Sequence, residues 1–213
     1  MGIVYVLTNP AFEGYVKIGK TTNLPQRLRS LDNTSVPLPF RCIFAVEVED
    51  EHLVEGLLHK VFADHRTRST REFFEVDVQR VVAAMRLTQG KDVTPKDDIA
   101  EDAEGVAAME RATRKPRTRK TYSLFDAGLK IGDILHYANN DSITAEVVAP
   151  KKIVFEGKEE SLSSSALTLL RRDGYSWNTC NGWIFWMFEN ETIAERLERI
   201  LAEAADAYTE SDV

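Results

Sequence analysis

Four side chains in the first third of the chain carry the types needed for phosphate chemistry: Tyr5, Lys17, Arg27 and Glu55. A hydroxyl, two cations and one carboxylate suit phosphodiester hydrolysis if they converge. The carboxylate holds a divalent metal that stabilises a leaving oxygen, and the guanidinium offsets charge on the phosphoryl oxygens. A phenol close to such a metal loses its proton more readily and can activate water. Tyr15, two residues before Lys17, and His59, one helical turn after Glu55, are further candidates. Each residue also has a plain alternative. Tyr5 reads equally as a cross-strand aromatic, Arg27 as a helix-surface residue, Glu55 as a solvated carboxylate and His59 as a structural histidine.

The elements that must position these groups are legible in the pattern. Gly2–Asn9 and Tyr15–Lys20 are short β-type runs separated by a bend containing Pro and Gly, the signature of a hairpin. Side chains alternate along a strand, so Lys17 shares a face with Tyr15 and Gly19. Thr21-Thr22-Asn23 offers N-caps for a helix carrying Pro25 in its first turn and Leu24, Leu28 and Leu31 at helical spacing. A strand is expected over Arg41–Glu49. A longer helix follows from about Asp50 to His65 with an apolar stripe of Val54, Leu57, Leu58, Val61 and Phe62. Arg71–Val76 is short and β-like, and a helix over about Val78–Leu87 closes a unit spanning 1–88.

Beyond it, composition changes. The protein has 213 residues and a net charge of −7, which on average argues against a nucleic-acid partner. The charge is unevenly placed, however: 1–88 holds 11 Lys and Arg against 11 Asp and Glu, and 111–120 holds 6 basic residues and no acid. Local patches govern contact with phosphates. The stretch 89–120, acidic and then basic, reads as a linker, either a solvated spacer or a phosphate-binding tether through Arg114, Lys115 and Arg117. A second, β-rich unit with one or more helices follows over 121–213 and ends in an acidic amphipathic helix. Its aromatic cluster of Tyr175, Trp177, Trp183, Phe185 and Trp186 reads either as core or as a platform that stacks a base, with polar neighbours at its edges. No stretch reads as a membrane span or a secretory signal. Two widely spaced cysteines, Cys42 and Cys180, fit a reducing cytosol, so a cytoplasmic protein without membrane contact is expected.

Ile3-Val4-Tyr5, Val16-Lys17-Ile18-Gly19, Arg27 and Glu55 follow the order and spacing of GIY-YIG nucleases, and the first 88 residues resemble a small phage and bacterial branch of that family. Lys-Ile-Gly-Lys-Thr, Leu-His and Glu-Phe-Phe are typical of the branch. The resemblance implies an α+β fold with a small antiparallel sheet flanked by helices, and single-metal cleavage of nucleic acid with Mg²⁺ or Mn²⁺. It makes Tyr5 the general base or its water-positioning partner, Arg27 the phosphate clamp and Glu55 the metal ligand. Lys20 and Arg29 are then expected at the DNA backbone. The sequence departs from the family pattern in three places, the first being that Tyr5 follows Ile3-Val4 where the first motif reads Gly-Ile-Tyr. Lys17 stands where the second motif has tyrosine, and Leu31 stands where some members carry a histidine, for which His59 is the nearest substitute. The stretch from about Tyr122 to Leu197, through Gly-Tyr-Ser-Trp-Asn and Asn-Gly-Trp, resembles RAMA-type domains of restriction and modification proteins. That resemblance implies DNA reading sensitive to base modification, with Ser176, Trp177, Asn178 and Trp183 as candidate contacts. The expectation is a DNA endonuclease for restriction or phage defence, pairing as a homodimer or transiently for double-strand cuts. The alternative is a decayed, non-enzymatic DNA-binding or regulatory protein.

Overall fold

A computed structural model describes residues 1–114 and 122–210. The fold is α+β with two antiparallel sheets, and the chain divides into two compact units. The first comprises Met1–Lys115 with Gly174–Asn178, and the second Pro116–Asp173 with Thr179–Val213.

In the first unit, β1 (Gly2–Thr8) and β2 (Tyr15–Thr21) form the expected hairpin. The bend is fixed by Asn9, whose side chain accepts from the Ala11 amide at 2.8 Å and donates to the Leu38 carbonyl at 2.7 Å. Gly14 closes the bend at φ +79°, a backbone region glycine enters without steric cost. Helix α1 (Leu24–Leu31) starts where Asn23 caps the Gln26 amide, with Pro in its first turn. Strand β3 (Arg41–Val48) lies on the other side of β1. Helix α2 (Glu51–Val61) is capped by Asp50 and followed by a 3₁₀ turn, Ala63–His65. Strand β4 (Phe73–Glu75), helix α3 (Val78–Arg86), strand β5 (Lys91–Asp92) and helix α4 (Ala103–Arg114) complete the unit.

The strand order is β4-β2-β1-β3-β5, so the apolar β1 is central and Val4, Tyr5, Val6 and Leu7 are all buried. Leu24 and Leu28 of α1 pack with Tyr5, Leu7, Phe40 and Cys42 in one cluster. Phe73 and Phe12 pack partly buried against that cluster.

Two expectations change here. The α2 stripe is rotated relative to the apolar count: Glu55, Leu58 and Phe62 are buried, whereas Leu53, Leu57 and Val61 are 58%, 49% and 63% exposed. Positions 55, 58 and 62 share one helical face, and Glu55 turns inward because a cation waits there. Residues 89–114, expected as linker, are folded onto the first unit. Thr94 donates to the Ala45 carbonyl at 3.5 Å and accepts from its amide at 2.9 Å. Arg41 forms a buried two-pronged pair with Asp98. Met109 of α4 is buried. A few long-range anchors outweigh the acidic composition. The basic residues Lys115 and Arg117 lie outside the described residues, and Arg114 ends α4.

The second unit is built on β6 (Ile134–Tyr137), β7 (Asn140–Ala149), β8 (Lys152–Phe155) and β9 (Lys158–Glu160). Helix α5 (Leu162–Arg172), strands β10 (Trp186–Phe188) and β11 (Glu191–Thr192), and helix α6 (Ile193–Glu210) follow. The strand order is β11-β10-β6-β7-β8-β9. Its core is aromatic: Trp186 meets Tyr137 and Phe155 edge-on at 5.9 and 5.8 Å. The Trp186 indole N–H donates to Ser165 Oγ at 3.0 Å, which meets the need of a buried indole for a partner. Among the described residues no helix is long and apolar enough to cross a membrane.

Candidate functional site

Tyr5 faces Gly19 across the β1–β2 pair. A Cβ on Gly19 would lie 2.6 Å from the Tyr5 hydroxyl, so glycine is what lets the ring cross the neighbouring strand. The phenol oxygen thereby reaches α1, where it accepts a hydrogen bond from Arg27 Nε at 3.1 Å. Burial pushes the Tyr5 hydroxyl above its ordinary pKa, and the pull of Arg27 does not reverse it. Tyr5 is therefore a neutral phenol at neutral pH. With Nε engaged, the two terminal nitrogens of Arg27 remain to meet an anion.

Strand β4 pairs with β2 only over Tyr15–Lys17, and the Ile18 amide donates to the Glu72 carbonyl just beyond. Past that point, helix α2 borders the strand. His59 Nε2 lies 3.1 Å from the Ile18 carbonyl, and since a carbonyl only accepts, Nε2 carries the proton. The imidazole also packs on Phe74 at 5.0 Å. His59 thus secures the strand edge, the structural alternative of its two readings.

Glu55, one turn earlier, is 8% exposed and takes Lys20 Nζ on Oε2 at 2.5 Å. On the other face of β2, Lys17 is 7% exposed and donates to Glu72 Oε2, also at 2.5 Å. Burial raises the Glu72 pKa, but the pull of Lys17, then of His59 and Arg27, outweighs it and leaves the carboxyl below its ordinary range. Glu72 and, least of all, Glu55 oppose ionisation of Tyr5 from a distance, and Glu72 supports the charge of Arg27. Around the phenol itself the one contacting cation among the described residues is Arg27, with the Lys17–Glu72 pair on the same strand face.

The structure joins Arg27 to Tyr5 and Lys17 to Glu72 on one face of β2, and Glu55 to Lys20 on the other. It leaves Tyr15 apart from Tyr5, four residues before Gly19, about 13 Å along the strand at roughly 3.3 Å per residue. Lys20, expected at the DNA backbone, is the counter-charge of Glu55, while Arg29 is exposed at the end of α1. Glu72 was missed as a site residue. The signal for it was Lys17 itself, since a lysine on an inward strand face requires a counter-charge. Cys42 offers no thiol chemistry, as burial holds its pKa high.

Among the described residues no group of three or more His, Cys, Asp or Glu is gathered to hold a metal. The donor set nonetheless fits Mg²⁺, which binds through one or two carboxylates and completes its octahedron with water and substrate phosphate oxygens. Glu55 would be the carboxylate, and an ion there would have to displace the ammonium of Lys20.

The residues expected to read bases separate. Trp177 is 3% exposed with the Arg41 guanidinium 4.4 Å over its ring, so that face is taken. The Ser176 amide and hydroxyl both bond the Lys96 carbonyl, and Asn178 donates to Glu110 at 2.7 Å. All three are occupied inside the first unit. Trp183 instead belongs to the second unit, where it lines a pocket of about 160 Å³ with Tyr122, Lys151, Ser161 and Ser163.

No curated protein matches the chain. Residues 2–89, which contain every member of the charged cluster, match the T5orf172 domain, a domain associated with phage and bacterial nuclease-like proteins.

Proposed function

We propose that the first unit is a GIY-YIG-type endonuclease that hydrolyses DNA phosphodiester bonds with Mg²⁺ or Mn²⁺, and that the second unit directs it to its DNA. The observation that carries this reading is the Arg27–Tyr5 hydrogen bond at 3.1 Å, with the inward-facing Glu55 on the helix that borders the same strand β2. In this mechanism Arg27 clamps the phosphoryl oxygens with its terminal nitrogens. Tyr5 positions the attacking water or acts as its general base. Lys17 fixes Glu72 and adds positive charge beside the phosphate. Glu55 would hold the divalent metal, which would supply charge stabilisation at the leaving oxygen. One site cuts one strand, so a double-strand break takes two copies or two encounters.

The second unit's RAMA-like sequence supports a DNA-reading role sensitive to base modification. Trp183 is its remaining candidate for base contact, because its pocket brings an indole, hydroxyls and Lys151 together. Restriction or phage defence is the setting that this pairing of units favours.

The test is cleavage of supercoiled DNA, plain and base-modified, with each metal. Wild type nicks it, and Glu55→Ala and Arg27→Ala do not. Equal background from all three proteins overturns the reading. The Lys20–Glu55 pair motivates a second reading, a decayed nuclease fold that binds DNA without cutting, because the ammonium occupies the carboxylate a metal needs. Salt-sensitive binding with no cleavage under any metal selects it.

A further inference from the structure

We infer that the turn Arg66–Arg71 is a DNA-backbone clamp beside the charged cluster, with Arg68 and Arg71 as its phosphate ligands. Arg-Thr-Arg-Ser-Thr-Arg contains three guanidiniums and three hydroxyls and no acid, so every side chain in it is a phosphate donor. The turn is not a loose charge run. Arg66 Nε donates to the Arg71 carbonyl at 2.6 Å, the Arg71 amide donates to the Arg68 carbonyl at 2.9 Å, and the Thr67 amide donates to the Phe73 carbonyl at 3.4 Å. The Arg66 guanidinium also lies 5.6 Å over the Phe74 ring, so its charge serves to pin the turn.

Arg68 and Arg71 are treated differently by the fold. Arg27, Arg41, Arg172, Arg196 and Arg199 each bond a phenol or a carboxylate. The side chains of Arg68 and Arg71 are exposed and make no hydrogen bond or ion pair with a described residue. Arg71 is followed directly by Glu72, whose carboxylate holds Lys17, so the turn delivers two uncommitted cations at the border of the cluster. Guanidiniums so placed meet phosphates flanking the one that Arg27 would hold, and contribute affinity without sequence preference.

This rests on the DNA-cleaving reading for its ligand, and the experiment separates the two. Full-length protein is titrated into a fluorescent 20-base-pair duplex without divalent metal, over a series of salt concentrations. The Arg68→Ala/Arg71→Ala variant, checked for an unchanged melting temperature, is expected to bind more weakly at low salt. The slope of log K against log salt should shallow by about 1.8, at roughly 0.9 per lost phosphate contact. Arg68→Lys/Arg71→Lys should restore the slope. An unchanged slope in the double alanine variant overturns the clamp while leaving the nuclease reading intact. Wild-type protein that binds no duplex overturns both.

Discussion

The two units handle charge in opposite ways. The first buries it: Lys17, Glu55, Arg41 and Asp98 are all largely withdrawn from water, each against an opposite charge. The second keeps charge at its rim, where Arg172 pairs with Glu156 and Arg199 with Glu191 and Glu203, and fills its interior with Trp186, Tyr137 and Phe155. Buried ions are costly unless paired, and an apolar replacement is often as stable. A fold that retains several therefore has a use for fixed charge. Arg41–Asp98 shows that the use can be architectural, since that pair anchors the 89–114 stretch. The cluster around Tyr5 is different because Arg27 has donor capacity left over.

This contrast can be broken first at Glu55. On the nuclease reading, Glu55→Ala removes several kcal/mol of charge stabilisation, and at about 1.4 kcal/mol per factor of ten the cleavage rate should fall about 10³-fold. The same substitution should leave the fold intact, because Lys20 is partly exposed and can return to water; a melting curve beside the cleavage assay reads both. Trp186→Ala is the converse. It empties the aromatic core of the second unit and should cost about 3–5 kcal/mol there, lowering a melting transition followed by near-ultraviolet circular dichroism. Cleavage of plain DNA should persist below that transition, and its parallel loss would erase the distinction between the units. Gly19→Ala sharpens the comparison, since one methyl group against the Tyr5 hydroxyl should cost about 1–3 kcal/mol and displace the phenol from Arg27. Cleavage should drop more than stability does.

The smallest effect is in acid. Glu72 has a folded pKa below its unfolded value of about 4.3. Its contribution to stability is therefore present above that pH and is lost as pH falls through the lowered value. Glu72→Gln should lower stability at pH 7, where this contribution is fully present, and flatten this part of the acid-unfolding profile, measured by circular dichroism between about pH 5 and 2. An unchanged profile would remove Glu72 from the cluster's charge balance.

Much of this was legible in the residues alone, and the failures share a cause. Tyr5, Arg27 and Glu55 stood out because they fall in the order and spacing of the nuclease pattern that the first 88 residues resemble, since α1 and α2 each carry several polar groups. The hairpin, α1, β3 and α3 followed from local pattern and caps. The pairings Lys20–Glu55 and Lys17–Glu72 did not, because they depend on how α2 and β4 register against β2, which no local period encodes. The same holds for the aromatic cluster. Trp177 and Trp186 are nine residues apart, yet one packs under Arg41 in the first unit and the other fills the core of the second. Composition marked 89–114 as a linker, and Thr94, Asp98 and Met109 override it through contacts that sequence neighbours cannot reveal.

The outward side of α2 bears on handling the protein. Leu53, Leu57 and Val61 follow one another at four-residue intervals in water, with no polar coat over them. Colloidal dispersion therefore depends on mutual repulsion from the net charge of −7. That repulsion vanishes near the isoelectric point of about 5.2, so mildly acidic buffers are where the protein should precipitate first, well above the pH at which Glu72 lets go of Lys17. A lysine at position 57 would interrupt the stripe but shift the isoelectric point upward, whereas a glutamate would interrupt it and move the point of least solubility further from neutrality.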